Sequence, residues 1–120
     1  MKLQIKRIYE APSEDDGKRI FIDRLWARGL TKEKARLDAW EKELAPSTEL
    51  RKWYGHDPEK FSEFRNRYRV ELDANPEAAA FAEKIVGCDV RVTLLYGAKD
   101  GEHSNVAVLK EWLEERNSIF

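Results

Sequence analysis

Charged and aromatic side chains that could bind or transform a ligand gather in three segments of the sequence. These are residues 23–29 (DRLWARG), residues 51–56 (RKWYGH) and residues 96–100 (YGAKD). Guanidinium groups present rigid forks that suit carboxylate or phosphate, and a lysine adds a mobile positive charge. Carboxylate and imidazole groups can move protons near neutral pH. We therefore predict a pocket for a small anionic ligand, such as a nucleotide or a phosphorylated metabolite.

Each candidate residue has a predicted role in this pocket. The ligand-binding candidates are Arg24, Trp26, Arg28, Arg51, Tyr96 and Lys99, with Trp26 or Tyr96 as the stacking face, and the catalytic candidates are Asp23, His56 and Asp100. Structural ion pairs at a strand end and a surface or capping histidine are the competing interpretations. Cys88, His56 and His103 lack the spacing of metal ligands, so no metal site is predicted. No glycine-rich phosphate fingerprint is present, and the sequence names neither a cofactor nor a reaction.

Strands and helices must bring the three segments together. The pattern predicts strands near residues 3–9, 19–26 and 89–96, and helices from Thr31 to about Leu44, from Ser47 to Gly55, from Asp57-Pro58 through Leu72, from Asn75-Pro76 to Gly87, and from Ser104 or Asn105 onward. Arg7 and Tyr9 close the first strand, residues 23–29 close the second, and Tyr96, Lys99 and Asp100 follow the third. In open α/β sheets, ligands lie just beyond the carboxyl ends of the strands. Parallel neighbouring strands would therefore make these residues converge on one edge.

The alternation of strands and helices predicts an α/β fold, with a small, mainly parallel sheet flanked by helices in a layered sandwich. The long helical connection between the second and third strands favours parallel pairing of those two. The ten residues between the first two strands are short for a helical crossover. A hairpin and a parallel pairing of the first two strands both remain open.

The composition predicts a single soluble domain over residues 1–120. The chain has 22 basic and 23 acidic residues, 42% hydrophobic residues and 13 aromatic residues, enough apolar area for a core. No uncharged run exceeds seven residues, which argues against a membrane span. One cysteine and an N-terminus without an apolar signal block predict the cytoplasm. Oligomeric state is not predicted.

The net charge of −1 conceals a local polarity. Residues 18–36 hold seven basic and two acidic side chains, residues 51–69 hold six and three, and residues 70–120 hold five and ten. The alternative function is a non-catalytic nucleic-acid-binding or regulatory interaction module, with Arg65 and Arg69 on one helix face. A third hypothesis, a protein-interaction domain, rests on the apolar tail Ile119-Phe120.

Three longer motifs resemble one known family. The run IYE…DDGKRIFIDRLWARGL, the segment APSTELRKWYGHDPEKFSEFRNRY and the segment VTLLYGAKD with the following Asn105 are similar to YeaO-like proteins, domain-of-unknown-function family 488. The resemblance covers roughly residues 3–113. It implies a small α/β protein but carries over no catalytic mechanism. The polar positions that match the family are Asp23, Arg24, Arg28, Ser47, Arg51, His56, Lys99 and Asp100, and Ala27 stands where the family usually has proline.

Overall fold

A computed structural model of the chain describes residues 2–117. Within this range, four parallel strands form one sheet: β1 (Leu3–Arg7), β2 (Lys18–Phe21), β3 (Ala39–Trp40) and β4 (Val92–Tyr96). The order across the sheet is β1-β4-β2-β3, and each neighbouring pair is parallel. The predicted α/β class with a parallel sheet is confirmed.

The central strand β4 is the most apolar part of the sheet. All five of its residues are buried, and Val92 lies opposite both Leu3 of β1 and Lys18 of β2. A strand that is covered on both faces is expected to form such a continuous apolar run. The predicted parallel pairing of the second and third predicted strands is confirmed, because these are β2 and β4. The first two strands do not pair with each other at all, since β4 lies between them.

Five α-helices flank the sheet in the part of the chain that the structure describes: α1 (Lys32–Ala35), α2 (Thr48–Tyr54), α3 (Phe61–Ala74), α4 (Pro76–Val86) and α5 (Asn105–Asn117). Local capping signals place several of the helix ends. The Ser47 hydroxyl accepts a hydrogen bond from the amide of Leu50, and the Asn75 side chain accepts one from the amide of Glu77. None of the helices between residues 2 and 117 has the length and apolar character needed to cross a bilayer.

Alternating strand residues divide the interior into two layers. Ile20 and Leu94 belong to the larger core, which they share with residues of α2, α3, α4 and α5. Phe21 and Leu95 point the other way, into a smaller core that includes Ala35 of α1. The sheet therefore lies between two packed layers, as the layered prediction required.

The predicted helix from Thr31 to Leu44 is wrong. The helix ends after one turn, where Arg36 adopts the left-handed region at φ 47°. The chain then turns back to the sheet: the amide of Asp38 donates to the carbonyl oxygen of Arg19, and the amide of Glu41 donates to that of Phe21. Residues 39–40 thereby satisfy the open edge of β2. The second strand is also shorter than predicted, because it ends at Phe21 rather than near residue 26.

A buried cluster of charged side chains links β1 and β2 on the face of the sheet that carries the smaller core. Asp16 is 2% exposed and Arg19 is 4% exposed. One Asp16 oxygen lies 2.6 Å from Arg19 Nη1, and the other lies 3.0 Å from Lys6 Nζ. Burial disfavours the charged carboxylate, but hydrogen bonds from the Ser13 amide, Lys6 and Arg19 outweigh it and hold the pKa of Asp16 below its usual value.

We expect Asp16→Asn to lower the free energy of unfolding at pH 7 by about 3–5 kcal/mol, because it leaves Arg19 as an uncompensated buried charge. The depressed pKa makes the Asp16 contribution complete above about pH 4, and it is lost as the pH falls through the folded-state value. The difference in the free energy of unfolding between the wild type and Asp16→Asn should therefore become smaller in acid. Urea unfolding at a series of pH values from 7 to 3 measures this difference. Asp15→Asn, at the exposed neighbour, is the control, and an equal loss in both variants would contradict the argument.

Candidate functional site

A pocket of about 270 Å³ lies where the chain leaves the carboxyl ends of β1, β2 and β4. Loops after these strands form one wall, and α2, the turn after it and the start of α5 form the other. The lining residues are Tyr9, Asp23, Arg24, Leu25, Trp26, Ala45, Pro46, Arg51, Tyr54, His56, Phe64, Gly97, Ala98, His103, Ser104 and Asn105. The position agrees with the general location of ligands in open α/β sheets.

Asp23 joins the strand ends to α5 within this pocket. Its Oδ2 accepts a hydrogen bond of 2.8 Å from the amide of Gly97, just after β4. Its Oδ1 accepts one of 3.2 Å from Asn105 Nδ2, at the start of α5. Burial raises the pKa of the Asp23 carboxyl, and these two bonds together with the nearby charges of His56 and Arg51 offset only part of that effect.

The Arg24 guanidinium is held by backbone carbonyl groups. Its Nη2 lies 3.3 Å from the oxygen of Ala45, and its Nε lies 3.4 Å from that of Pro46. Both acceptors are neutral carbonyl groups, so these long hydrogen bonds orient the side chain and leave its positive charge uncompensated. Arg24 also lines a second cavity, on the far side of Ala45, together with Glu43 and Glu71.

Arg51 brings a positive charge, and His56 an imidazole ring, to the wall formed by α2 and its following turn. Gly55 ends the helix at φ 54°, and His56 follows at φ 58°. The left-handed conformation is unfavourable for a residue with a side chain, and such residues cluster at functional sites. Among the described residues, neither the Arg51 nor the His56 side chain makes a hydrogen bond or an ion pair. Both are exposed and border the pocket.

Aromatic rings support the pocket from both sides. The Tyr54 and Phe64 rings stack with their centroids 4.2 Å apart, and the Tyr54 hydroxyl donates a 2.7 Å hydrogen bond to the carbonyl oxygen of His103. On the opposite wall, Trp26 Nε1 donates to the carbonyl oxygen of Leu30 at 2.7 Å. Edge contacts with Phe21 and Trp40 also fix the Trp26 ring.

The structure brings together five of the nine predicted site residues: Asp23, Arg24, Trp26, Arg51 and His56. The other four do not line the pocket. Arg28 and Lys99 are exposed, and Tyr96 is buried beside Gly101. Asp100 is exposed and pairs with His103, whose Nδ1 lies 2.6 Å from the Asp100 carboxylate. The side chains outside the pocket therefore belong to the first segment, at Arg28, and to the third, at Tyr96, Lys99 and Asp100, whereas Arg51 and His56 of the second segment both line it.

Several lining residues were not predicted as site residues. They include Leu25, Tyr54, Phe64 and His103. Tyr54 and Phe64 belong to apolar helix stripes, which indicate a core and carry no signal for a cavity. Asn105 was predicted only as a possible helix cap and as part of the third family motif. Its place in that motif is the one feature of the sequence that indicated a role near Asp23. Within residues 2–117, no group of three His, Cys, Asp or Glu side chains is arranged to hold a metal ion.

The basic helix face proposed for nucleic acid is paired with acidic side chains. Arg65 contacts Glu111, and Arg69 contacts Glu115 and lies 3.6 Å from Glu111. These contacts join α3 to α5 and reduce the positive charge available to phosphates. The tail Ile119-Phe120, on which the interaction-domain hypothesis rests, lies outside the described residues.

Comparison with known proteins assigns the family. The family model described as the inactive DUF488-N3 subclade matches residues 2–118. The chain belongs to this subclade. Among curated relatives of this DUF488-N3 chain, an uncharacterized protein of Mycobacterium tuberculosis (strain H37Rv) is 41% identical over 117 residues, covering 96% of each chain. The uncharacterized protein YeaO of Escherichia coli K12 is 40% identical over 113 residues, covering 94% of this chain and 97% of YeaO. No solved structure matches the chain.

Membership of the DUF488 family confirms the resemblance carried by the three motifs. Five of the eight polar positions that match the family border the pocket or its wall: Asp23, Arg24, Arg51 and His56 line the pocket itself, and Ser47 lines the neighbouring cavity beside Arg24. Ala27, at the position where the family usually has proline, is buried in the smaller core. The substitution therefore leaves an apolar contact in place within this DUF488 domain.

We expect the pKa of Asp23 to lie above the ordinary aspartate value and to rise further in Arg51→Gln, because that variant removes a positive charge that favours the carboxylate. Since the folded protein then holds this proton more tightly than the unfolded chain, Asp23 lowers the free energy of unfolding as the pH rises through its folded-state pKa. A carboxyl ¹³C NMR titration measures the Asp23 pKa in the wild type and in Arg51→Gln. Lys52→Gln, on the same helix but outside the pocket, should leave the Asp23 pKa unchanged; the same shift in both variants would refute the placement of Arg51.

Proposed function

We propose that the pocket at the carboxyl edge of the sheet binds a small anionic ligand, a nucleotide or a phosphorylated metabolite. The observation that carries the proposal is that the Arg51 and His56 side chains border the cavity and make no hydrogen bond or salt bridge among the described residues, although both act electrostatically on Asp23. A side chain that borders a cavity with its hydrogen-bonding groups unused is available to an anion from solution. Charge-assisted hydrogen bonds to phosphate or carboxylate are among the stronger polar contacts.

The electrostatic surroundings support an anion at this wall. Among the described residues of the lining, Arg24 adds a second guanidinium and Asp23 is the one carboxylate. Ser104 and Asn105 place the first turn of the 13-residue helix α5 at the pocket, and the positive end of a helix dipole attracts anions. The positive charge of the lining therefore exceeds its negative charge.

The volume supports a single small molecule. Ligand pockets usually measure about 300–1,000 Å³, and this one is about 270 Å³. The volume lies just below that range, so it favours one small phosphorylated molecule over a large ligand.

Binding without turnover is the form of the proposal that fits the predicted catalytic residues best. Both Asp23 oxygens accept hydrogen bonds from the protein, and Asp100 is outside the pocket and paired with His103. These contacts give the two carboxylates positioning roles. The description of the matching subclade as inactive supports the same conclusion. Proton transfer by Asp23, His56 or Asp100 stays a prediction from the sequence.

The proposal predicts that inorganic phosphate, ribose 5-phosphate or adenosine 5′-monophosphate raises the thermal unfolding temperature. Arg51→Gln should weaken the best of these by about tenfold or more, because a hydrogen bond to a charged group contributes about 1.5–3 kcal/mol. Titration calorimetry measures the affinities. Lys52→Gln is the matched control, as it removes one positive charge from the same helix without touching the pocket.

Two outcomes would count against the anion pocket. The first is the absence of stabilisation by every member of the phosphate panel. The second is an equal loss of affinity in Arg51→Gln and Lys52→Gln, which would indicate a general charge effect. Salt-sensitive binding to RNA or DNA that disappears when Arg65 and Arg69 are both replaced by glutamine would instead favour the nucleic-acid alternative.

A further inference from the structure

Two exposed apolar side chains stand at the mouth of the pocket. Leu25 is 60% exposed and Tyr9 is 41% exposed, and both line the cavity. Within residues 2–117 only three other large apolar side chains are exposed to this degree, and these three valines lie elsewhere. Isolated exposed apolar residues are ordinary, but an apolar group at the rim of a concave site can mark a contact with a ligand.

Two sets of side chains come from different walls. Tyr9, Leu25 and Trp26 follow β1 and β2, whereas Arg51 and His56 belong to α2 and the turn after it. The lining is thus divided into a wall with three apolar side chains, which also carries Arg24, and a wall that presents Arg51 and His56. A ligand that contacts both walls needs an anionic group and an apolar group in the same molecule.

The ring of Tyr9 is held in place without a ligand. Its hydroxyl donates a 2.8 Å hydrogen bond to the carbonyl oxygen of Arg28. The Arg7 guanidinium lies 4.7 Å from the ring centroid, and Arg7 Nε donates to the carbonyl oxygen of Ala98 at 3.0 Å. An aromatic side chain that is already fixed loses little conformational entropy when a second ring packs on it.

We propose that the ligand is an aryl-bearing anion, in which a flat aromatic ring packs against Tyr9, Leu25 and Trp26 while the anionic group meets Arg51 and His56. This inference rests on the proposed function and narrows its ligand class. It distinguishes aryl phosphates and nucleotides, which carry a ring, from phosphorylated sugars, which do not. The aromatic group supplies the selectivity, and the charge supplies the attraction.

Phenyl phosphate and methyl phosphate provide the test, because they share a phosphate ester and differ in the ring. NMR chemical-shift titrations of the full chain should give a dissociation constant about tenfold lower for phenyl phosphate, a difference of about 1.4 kcal/mol. Leu25→Ser should reduce this preference at least threefold, because it removes an apolar contact to the ring. Val70→Ser, at an equally exposed apolar position outside the pocket, is the control and should keep the preference.

The outcomes separate the two proposals. Equal affinities for the two phosphates would overturn the aryl preference and leave the anion pocket standing. A preference that Val70→Ser reduces as much as Leu25→Ser would also overturn it, since the ring would then bind elsewhere. Binding of neither phosphate would refute the anion pocket itself. Arg51→Gln should weaken both compounds by the same factor, and a change in their ratio would contradict the division of the lining.

Discussion

The arrangement of the pocket depends on the hydrogen bonds of Asp23. This one residue meets three other elements: its carboxylate accepts from Gly97 after β4 and from Asn105 at the start of α5, and its carbonyl oxygen accepts a 2.6 Å hydrogen bond from Trp40 Nε1 in β3. An ideal Cβ at Gly97 would lie 3.1 Å from Asp23 Oδ2, so the close approach is easiest for glycine. The Asp23 carboxylate is partly buried, which is unfavourable for a charge, and its two hydrogen-bond donors offset part of that cost.

The helix ends could be predicted from the sequence because their signals are local. Ser47, Gly55 and Asn75 act on amides and dihedral angles within a few residues, as their caps and left-handed turn show. Strand β3, at Ala39–Trp40, could not be predicted in the same way. Leu37, Trp40 and Leu44 are spaced three and four residues apart, which is typical of the buried face of a helix. The hydrogen-bond partner of the Trp40 ring, the carbonyl oxygen of Asp23, lies 17 residues earlier in the sequence. The order of the strands is equally non-local, since β4 inserts between β1 and β2.

For the site, distance from a strand end does not separate the residues that line the pocket from those that do not. Arg24 and Lys99 each lie three positions after a strand, β2 and β4 respectively, yet Arg24 lines the pocket and Lys99 does not. Lys99 and Asp100 lie in a loop whose course depends on distant contacts, including the bond from Arg7 Nε to the carbonyl oxygen of Ala98. The pairing of Asp100 with His103 then turns its carboxylate away. Periodicity carries no information about such contacts.

The strand order has a consequence for how the chain acquires its fold during synthesis. The strand at the centre of the sheet is the last of the four in the sequence, and it pairs with both β1 and β2. Until residues 92–96 have left the ribosome, β1 has no neighbour, and β2 has only the two-residue strand β3. The N-terminal three-quarters of the polypeptide therefore cannot complete the sheet before β4 is synthesised. Its strand edges are unpaired during that time, and unpaired edges are prone to aggregation.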